Sequence, residues 1–427
     1  MAVVRHWCSA ALRSALRPDS ALEHGMPFEI GPVAHERIAD WMACDAAAFG
    51  STVYPNEIED FLKVTPVERM QAAYDGKEIV STAAVFPFEM AVPGGATAMA
   101  GVTWVSVKPT HRRQGIVTAM MRHQLTDVRE RGESLASLWA SESVIYGRFG
   151  YGLAVEGADW QIERPYASLT PGTVAAGRYR LVTLEDSLRD WPAFYDRVSR
   201  SQPGMYSRNA DWWKFHRYYT RDKDKARFWV QYEVDGAIAG YAHYRVTPFE
   251  VENLAANHLE VLELVAETDE AYRALWQYVF GVDLVGKISA YHRPIDELLV
   301  HMLADSRRLL RRPQDALWVR IIDAEAALAE RRYSREGSLV INVTDPFLKW
   351  GSGRYLLEGG PEGATCTPTS RKPEIQMGIR DLGAVYMGAT AFTSLARAGR
   401  VEGDRKTLLK ADAMFRWEPQ PWCPEVF

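Results

Sequence analysis

The sequence predicts a mixed α/β (α+β) chain built as three units, the first two sharing one order of strands and helices. Three observations carry this. The 427 residues exceed one typical domain. The hairpin signal Asp75-Gly76, placed between strand-like runs, recurs as Asp235-Gly236 in a similar setting. The stretch from Val105 to Thr118 reads as a strand, a donor-rich turn and a helix opening near Gly115, and a strand–turn–helix order recurs around Glu267-Thr268-Asp269-Glu270.

Composition narrows the class. Hydrophobic residues make up 47% and charged residues 25%, the proportions of a soluble globular protein. The net charge of −5 argues against general nucleic-acid binding, which shows a basic face. No apolar run approaches the ~20 residues that span a bilayer, so the expectation is a cytoplasmic protein with no membrane partner. The cysteines Cys8, Cys44, Cys366 and Cys423 are scattered without metal or redox spacing, as isolated thiols in a reducing compartment are. No metal site is expected. Cys423, near the C-terminus, is weighed as a nucleophile and set aside because no histidine stands near it in sequence.

Residues 1–25 hold Arg5, Arg13 and Arg17 with no acid before Asp19, yet their apolar stretches are too short for a secretory core. They read as a disordered extension, or as an early start with Met26 opening the folded part. The first unit, residues 26–165, begins with a helix over Ala34–Phe49 whose inward face is Ile38, Trp41, Met42 and Ala46. Strands follow over Glu68–Tyr74, Ile79–Phe88 and Ala98–Val107, the last two joined at Pro93-Gly94-Gly95. A helix carries Ile116, Met120, Leu125 and Val128 at near-helical spacing, Leu135–Ala140 is a short strand, and Trp160-Gln161-Ile162 closes the unit. The second unit, residues 178–308, repeats the order: a helix over Leu184–Ser199, strands over Phe228–Val234, Ile238–Arg245 and His258–Ala266, and a helix over Glu270–Phe280. The third, residues 315–427, has strands over Leu317–Ile321, Gly337–Val343 and Arg354–Leu357, then helices over Leu382–Met387, Thr390–Ala398 and Leu408–Phe415.

Chemistry concentrates after Val107. A helix N-terminus presents unpaired N–H groups and a partial positive charge. Gly115 lets the backbone approach a bulky anion, and Arg112 and Arg113 add charge, which suits the pyrophosphate of a nucleotide-like cofactor. The matching turn of the second unit has no glycine and is acidic, so it repels a pyrophosphate and that unit does not bind the cofactor.

Arg112 and Gly115 resemble the R/Q-x-x-G-x-G/A acetyl-CoA loop of the GNAT superfamily of N-acetyltransferases, while Val117 departs from the small residue usual there. Pro109-Thr110-His111-Arg112-Arg113 together with Ser141-Glu142-Ser143-Val144-Ile145-Tyr146-Gly147-Arg148-Phe149-Gly150-Tyr151-Gly152 is similar to the enhanced intracellular survival (Eis) family of actinobacterial acetyltransferases. Cys366-Thr367-Pro368-Thr369, Leu382-Gly383-Ala384-Val385-Tyr386-Met387-Gly388 and the terminal Phe427 extend the likeness over nearly the whole chain beyond residue 25.

The resemblance implies tandem GNAT-like domains, the second degenerate, followed by a sterol-carrier-like α/β domain, assembled as a homo-hexamer. The apolar residues of the third unit are either ordinary core or a lipid tunnel. The implied activity is acetyl-CoA-dependent N-acetylation of primary amines, either on an aminoglycoside-like polycation or on protein lysines. The implied acetyl-CoA contacts are the strand Val105, Ser106 and Val107, the helix-opening backbone of Arg113, Gln114, Gly115, Ile116, Val117 and Thr118, and Ser141 with Glu142. Glu142 equally fits a helix N-terminal acid. The implied general acid is Tyr146, protonated at neutral pH with a reference pKa of ~10; Tyr151 is the nearby competitor. The implied general base is the α-carboxylate of Phe427, raised from its ordinary ~3.5 by an apolar setting. Pro424-Glu425-Val426 departs from the family's ending, and Glu57, Glu59 and Asp60 fit either an acidic cleft or a solvated helix face. The alternative is a non-catalytic acetyl-CoA-sensing or lipid-binding protein.

Overall fold

The computed structural model of the protein describes residues 28–53, 55–173, 176–218 and 226–427; the expected N-terminal extension lies outside them. The first part contains β1 (Glu29–Pro32), α1 (Ile38–Phe49), α2 (Pro55–Val64), β2 (Gln71–Asp75), β3 (Glu78–Val92), β4 (Gly95–Val107), α3 (Ile116–Glu130), β5 (Leu135–Trp139), α4 (Ser143–Tyr146) and β6 (Gly152–Leu153). Helix α1 buries Ile38, Trp41, Met42 and Ala46 at helical spacing and stops at Gly50, which takes φ 66° and donates its N–H to Ala46. The β2–β3 hairpin turns at Gly76, with Asp75 paired to Glu78. Strands β3 and β4 form the longest antiparallel pair, running from Ser81–Val107 to Val92–Gly95.

The second part adds β7 (Glu156–Glu163), β8 (Arg178–Val182), α5 (Leu184–Ser199), α6 (Ala210–Tyr218), β9 (Ala226–Val234), β10 (Ala237–Thr247), a small hairpin of β11 (Glu250–Val251) and β12 (Leu254–Ala255), β13 (Asn257–Ala266), α7 (Asp269–Gly281), β14 (Val285–Pro294), α8 (Leu299–Met302) and β15 (Leu310–Asp315). The third contains β16 (Leu317–Ile321), α9 (Ala324–Glu330), β17 (Gly337–Thr344), β18 (Gly353–Gly360), β19 (Gly363–Pro368), β20 (Ile375–Gly378), α10 (Ile379–Tyr386), α11 (Phe392–Arg397), β21 (Val401–Gly403) and α12 (Arg405–Phe415).

Among the described residues the strands form two seven-stranded sheets, one five-stranded sheet and the small hairpin. The first sheet has the order β1-β2-β3-β4-β5-β16-β6, and the second β15-β7-β14-β13-β10-β9-β8. This corrects two expectations. Trp160-Gln161-Ile162 does not close the first unit: it lies in β7, paired with β14 and β15 of the second sheet. Leu317–Ile321 does not open the third unit: it is β16, inserted between β5 and β6 of the first sheet. The chain crosses between sheets at neighbouring points, where the Ala316 N–H donates to the Val155 carbonyl at 3.0 Å. β16 is buried throughout, and its own residues do not say which sheet it joins.

The third part lies directly on the first sheet. A side chain at Gly152 would overlap the Arg380 carbonyl and the Ala384 amide of α10, and one at Gly383 would overlap the Val319 carbonyl of β16. One continuous core therefore joins Phe86, Met99 and Leu135 of the first sheet to Leu339, Ile341 and Leu382 of the third part.

Candidate active site

The site is built where β4 leaves its neighbours. Its parallel pairing with β5 is confined to Met99–Leu135, Ala100–Ala136 and Gly101–Ser137. Beyond Gly101 the two strands diverge, and the β5-facing backbone edge of β4 opens. On the other side β4 carries one extra residue against β3, since Thr82 faces Ser106 while Ala84 faces Thr103. Trp104 sits in this bulge with φ 53°. The Thr82 hydroxyl stands 2.7 Å from the Trp104 carbonyl and 2.6 Å from the Ser106 hydroxyl, and the Ser81 hydroxyl donates to the Ser106 carbonyl at 2.6 Å. Of the three strand residues expected to meet the cofactor, Val105 lines the resulting cleft. The side chains of Ser106 and Val107 are buried.

Helix α3 starts just past the divergence. Gly115 caps it with φ 83° and no side-chain hydrogen bond, and Arg113 also has positive φ, at 65°. The Ala119 N–H bonds the Gly115 carbonyl as the helix begins, so the preceding amides have no carbonyl one turn back to bond. Arg113 and Gln114 are exposed, Gly115 and Val117 half-buried, and Ile116 and Thr118 buried. Arg112 instead ties the loop down, donating to the Ala48 carbonyl at the end of α1 at 2.8 Å. In the second part, Thr268 caps α7 with a 3.2 Å bond from the Ala271 amide, and Asp269 and Glu270 fill the first turn. That helix end is already capped and negative, which removes both attractions for a phosphate.

A cleft of about 400 Å³ opens beside the bulge, with Val102, Thr103, Trp104 and Val105 on one wall and Trp139, Ser141 and Tyr146 on another. Asp45 and Phe49 come from α1, and Val426 and Phe427 from the C-terminus. Tyr146 ends α4 and is buried. Burial pushes its phenol pKa above the usual tyrosine value, while a hydrogen bond with Ser141 acts in the opposite direction. Glu142 is the exposed N-cap residue of α4 and makes no capping bond. The competitor Tyr151 packs edge-on against Tyr146 with ring centroids 6.0 Å apart, but it is wholly buried with its hydroxyl on the Met121 sulfur at 3.8 Å and does not line the cleft.

The C-terminal segment is anchored residue by residue. Trp422 donates its indole N–H to the His292 carbonyl at 2.6 Å. Glu425 is buried: its Oε1 accepts from Arg208 Nε at 3.0 Å and from Trp212 Nε1 at 2.8 Å, and Tyr206 donates to its carbonyl at 2.9 Å. Arg208, itself buried, also pairs with Glu263 at 2.6 Å. The Phe427 ring then sets edge-on against Phe88 and Tyr206, with centroids 5.4 and 5.5 Å away. Gly101 makes the space, because a Cβ there would stand 3.2 Å from the Phe427 ring and 2.8 Å from Phe88. Cys423 is buried and its thiol is pushed up to about 12 by that burial, so it holds no thiolate at neutral pH.

Asp45 is the site residue the sequence reading missed. It is 6% exposed, its Oδ1 stands 3.5 Å from the Thr82 hydroxyl, and burial raises its carboxyl to about 6 against lowering bonds from Ser106 and Thr82. The signal was present: a carboxylate sits four residues after Trp41 and four before Phe49, inside the apolar stripe of α1. The acids considered instead are elsewhere. Asp60 pairs with Lys63 at 2.8 Å, Glu59 is exposed, and the side chain of Glu57 lies outside the described residues.

Comparison with known proteins places this geometry. Residues 29–154 and 204–321 each match an acetyltransferase (GNAT) domain, and residues 324–424 match a sterol carrier protein domain. These define an N-acetyltransferase of tandem GNAT domains with a sterol-carrier-like third domain. The N-acetyltransferase Eis of Mycobacterium bovis is 34% identical over 87% of this chain and 92% of its own length. An uncharacterized N-acetyltransferase of Streptomyces avermitilis is 38% identical over 91% of this chain and 96% of its own. The crystal structure of Eis1 from Mycobacterium abscessus superimposes with a TM-score of 0.82 at 31% identity, covering 94% of this chain and 100% of that one. The chain belongs to the Eis family of GNAT N-acetyltransferases. It is an enzyme, and its fold implies acetyl-CoA as the acetyl donor.

Proposed function

We propose that the protein transfers acetyl from acetyl-CoA directly to a primary amine, with Tyr146 as general acid and the Phe427 α-carboxylate as general base. The observation that carries the reading is that Tyr146, from the first sheet's α4, and Phe427, at the end of the chain, line one cleft at the opening of β4. The amine substrate is an aminoglycoside-like polycation or a protein lysine.

The donor site fits the residues present. The backbone amides between Arg113 and Thr118, where the first turn of α3 has no intrahelical acceptor, would hold the pyrophosphate, with Gly115 admitting its close approach. The open edge of β4 beyond Gly101 offers peptide groups to an amide-bearing arm, as an added strand would take them. Acetyl-CoA supplies an activated carbonyl and a thiolate leaving group. The terminal carboxylate of Phe427 accepts the proton the amine gives up as its C–N bond forms. Tyr146 delivers its proton to the sulfur as the C–S bond breaks. Burial keeps that phenol protonated throughout the neutral range, and its bond with Ser141 eases release. The Phe427 ring against Phe88 and Tyr206 fixes the carboxylate's origin, which a loose chain end would not do.

The test is acetyl-CoA turnover against a panel of primary amines, using wild type and Tyr146→Phe. Removal of one hydroxyl is expected to lower kcat by ~10²-fold or more while acetyl-CoA affinity holds. Wild-type turnover in the variant rejects Tyr146 as the proton donor.

A further inference from the structure

We propose that Asp45 is a substrate-binding residue that holds a second, non-reacting ammonium of the acceptor, so that the enzyme selects diamines and polyamines over monoamines. This rests on the acetyl-transfer reading above and adds a specificity determinant on α1.

Three features of the cleft lead there. Asp45 is a side-chain carboxylate in a wall otherwise made largely of aromatic and aliphatic groups, with Phe49, Trp104, Trp139 and Val426 around it. The acid nearest the chain end, Glu425, is turned away into the buried cluster of Arg208 and Trp212, leaving Val426 on the cleft. No cation pairs with Asp45 among the described residues, where its partners are the hydroxyls of Thr82 and Ser106. The Thr82 hydroxyl, with its single proton, stands 2.7 Å from the Trp104 carbonyl and 3.5 Å from Asp45, so the carboxylate retains lone pairs for a further donor.

The surroundings suit an alkylammonium. Indole faces attract a desolvated cation, and the methylene chain between two amines packs on the same rings. The charge on Asp45 costs free energy in its own fold, since burial works against ionisation. An arriving ammonium relieves that cost, whereas a neutral alkyl end does not. A purely structural Asp45 serves instead to brace the Trp104 bulge through Thr82, and would act on every acceptor alike.

The experiment compares 1,4-diaminobutane with butylamine, which differ by one terminal amine. Kinetic constants are measured for wild type, Asp45→Asn, which keeps an oxygen for the Thr82 and Ser106 hydroxyls, and Asp45→Ser. Calorimetry follows binding of each amine to the CoA-loaded protein. Wild type is expected to favour the diamine in kcat/KM by roughly tenfold or more, the scale of one charge-assisted hydrogen bond. In Asp45→Asn that preference collapses through the diamine KM, with acetyl-CoA binding unchanged. Equal use of the two amines by wild type overturns the proposal without any variant, as does a preference that survives Asp45→Asn. If no amine is acetylated, the acetyl-transfer reading fails on its own. The calorimetric preference of wild type over the Asp45 variants then still decides the binding role, and its absence rejects it.

Discussion

Extending the chain by one glycine after Phe427 is the sharpest perturbation of the proposed base, because it leaves every existing side chain in place. The Arg208–Glu425 and Trp212–Glu425 bonds and the edge-on contacts of the Phe427 ring all lie upstream of the change. The α-carboxylate of residue 427 becomes a neutral amide, and the new carboxylate lies about 3.5 Å further along the chain. Displacement by ~1 Å can cost 10²-fold in rate, so a loss of at least that size in kcat is expected. Stability should hardly move, because no buried group is lost. Deleting Phe427 is the complement. It draws the carboxylate back by the same distance and removes a half-buried ring, at about 1–3 kcal/mol. The assay is steady-state acetylation beside acetyl-CoA calorimetry and a thermal melt on the same preparations. Full activity in the glycine-extended enzyme with an unshifted melt refutes the terminal carboxylate as base and returns the role to water or a side chain.

Other outcomes follow from the same contacts. Gly115→Glu places a Cβ and a negative charge at a φ of 83° on the open end of α3, so acetyl-CoA affinity should fall by tenfold or more in calorimetry while the fold persists. Arg208→Met leaves Glu263 and Glu425 buried without their shared cation, a loss of ~3–5 kcal/mol by denaturant unfolding, and should release the tail so that acetylation drops more than acetyl-CoA binding. Asp45→Asn should raise the melting temperature by a few degrees at pH 7.5 and not at pH 4. The folded state keeps the Asp45 proton up to about pH 6 while the unfolded chain releases it near 3.8, so this carboxyl costs stability as pH rises through that window, by at most ~3 kcal/mol. Gly152→Ala should weaken the seat of α10 on the first sheet by ~1–3 kcal/mol, read as a lowered melting temperature.

The sequence by itself determined the local chemistry. The spacing of Ile116, Met120, Leu125 and Val128 marked α3, Gly115 marked its uncapped start, and Asp75-Gly76 and Asp235-Gly236 marked hairpins that form, because each depends on neighbours within a few residues. The match of Tyr146 and Phe427 to a family pattern pointed to one site before any geometry brought them together. Only the tertiary structure decided which sheet a strand joins: β7 and β16 carry buried strand patterns that either sheet would accept, and their exchange depends on partners more than a hundred residues away. It also decided that the chain end is held. Glu425 reads as a surface acid until Arg208, Trp212 and Tyr206 converge on it from another part of the chain. Asp45 is the same case in reverse. Its place in the apolar stripe of α1 was visible, but a carboxylate there is a defect or a binding group according to what faces it, and only folding set the bulge at Trp104, the indole of Trp139 and the last residue of the chain around it.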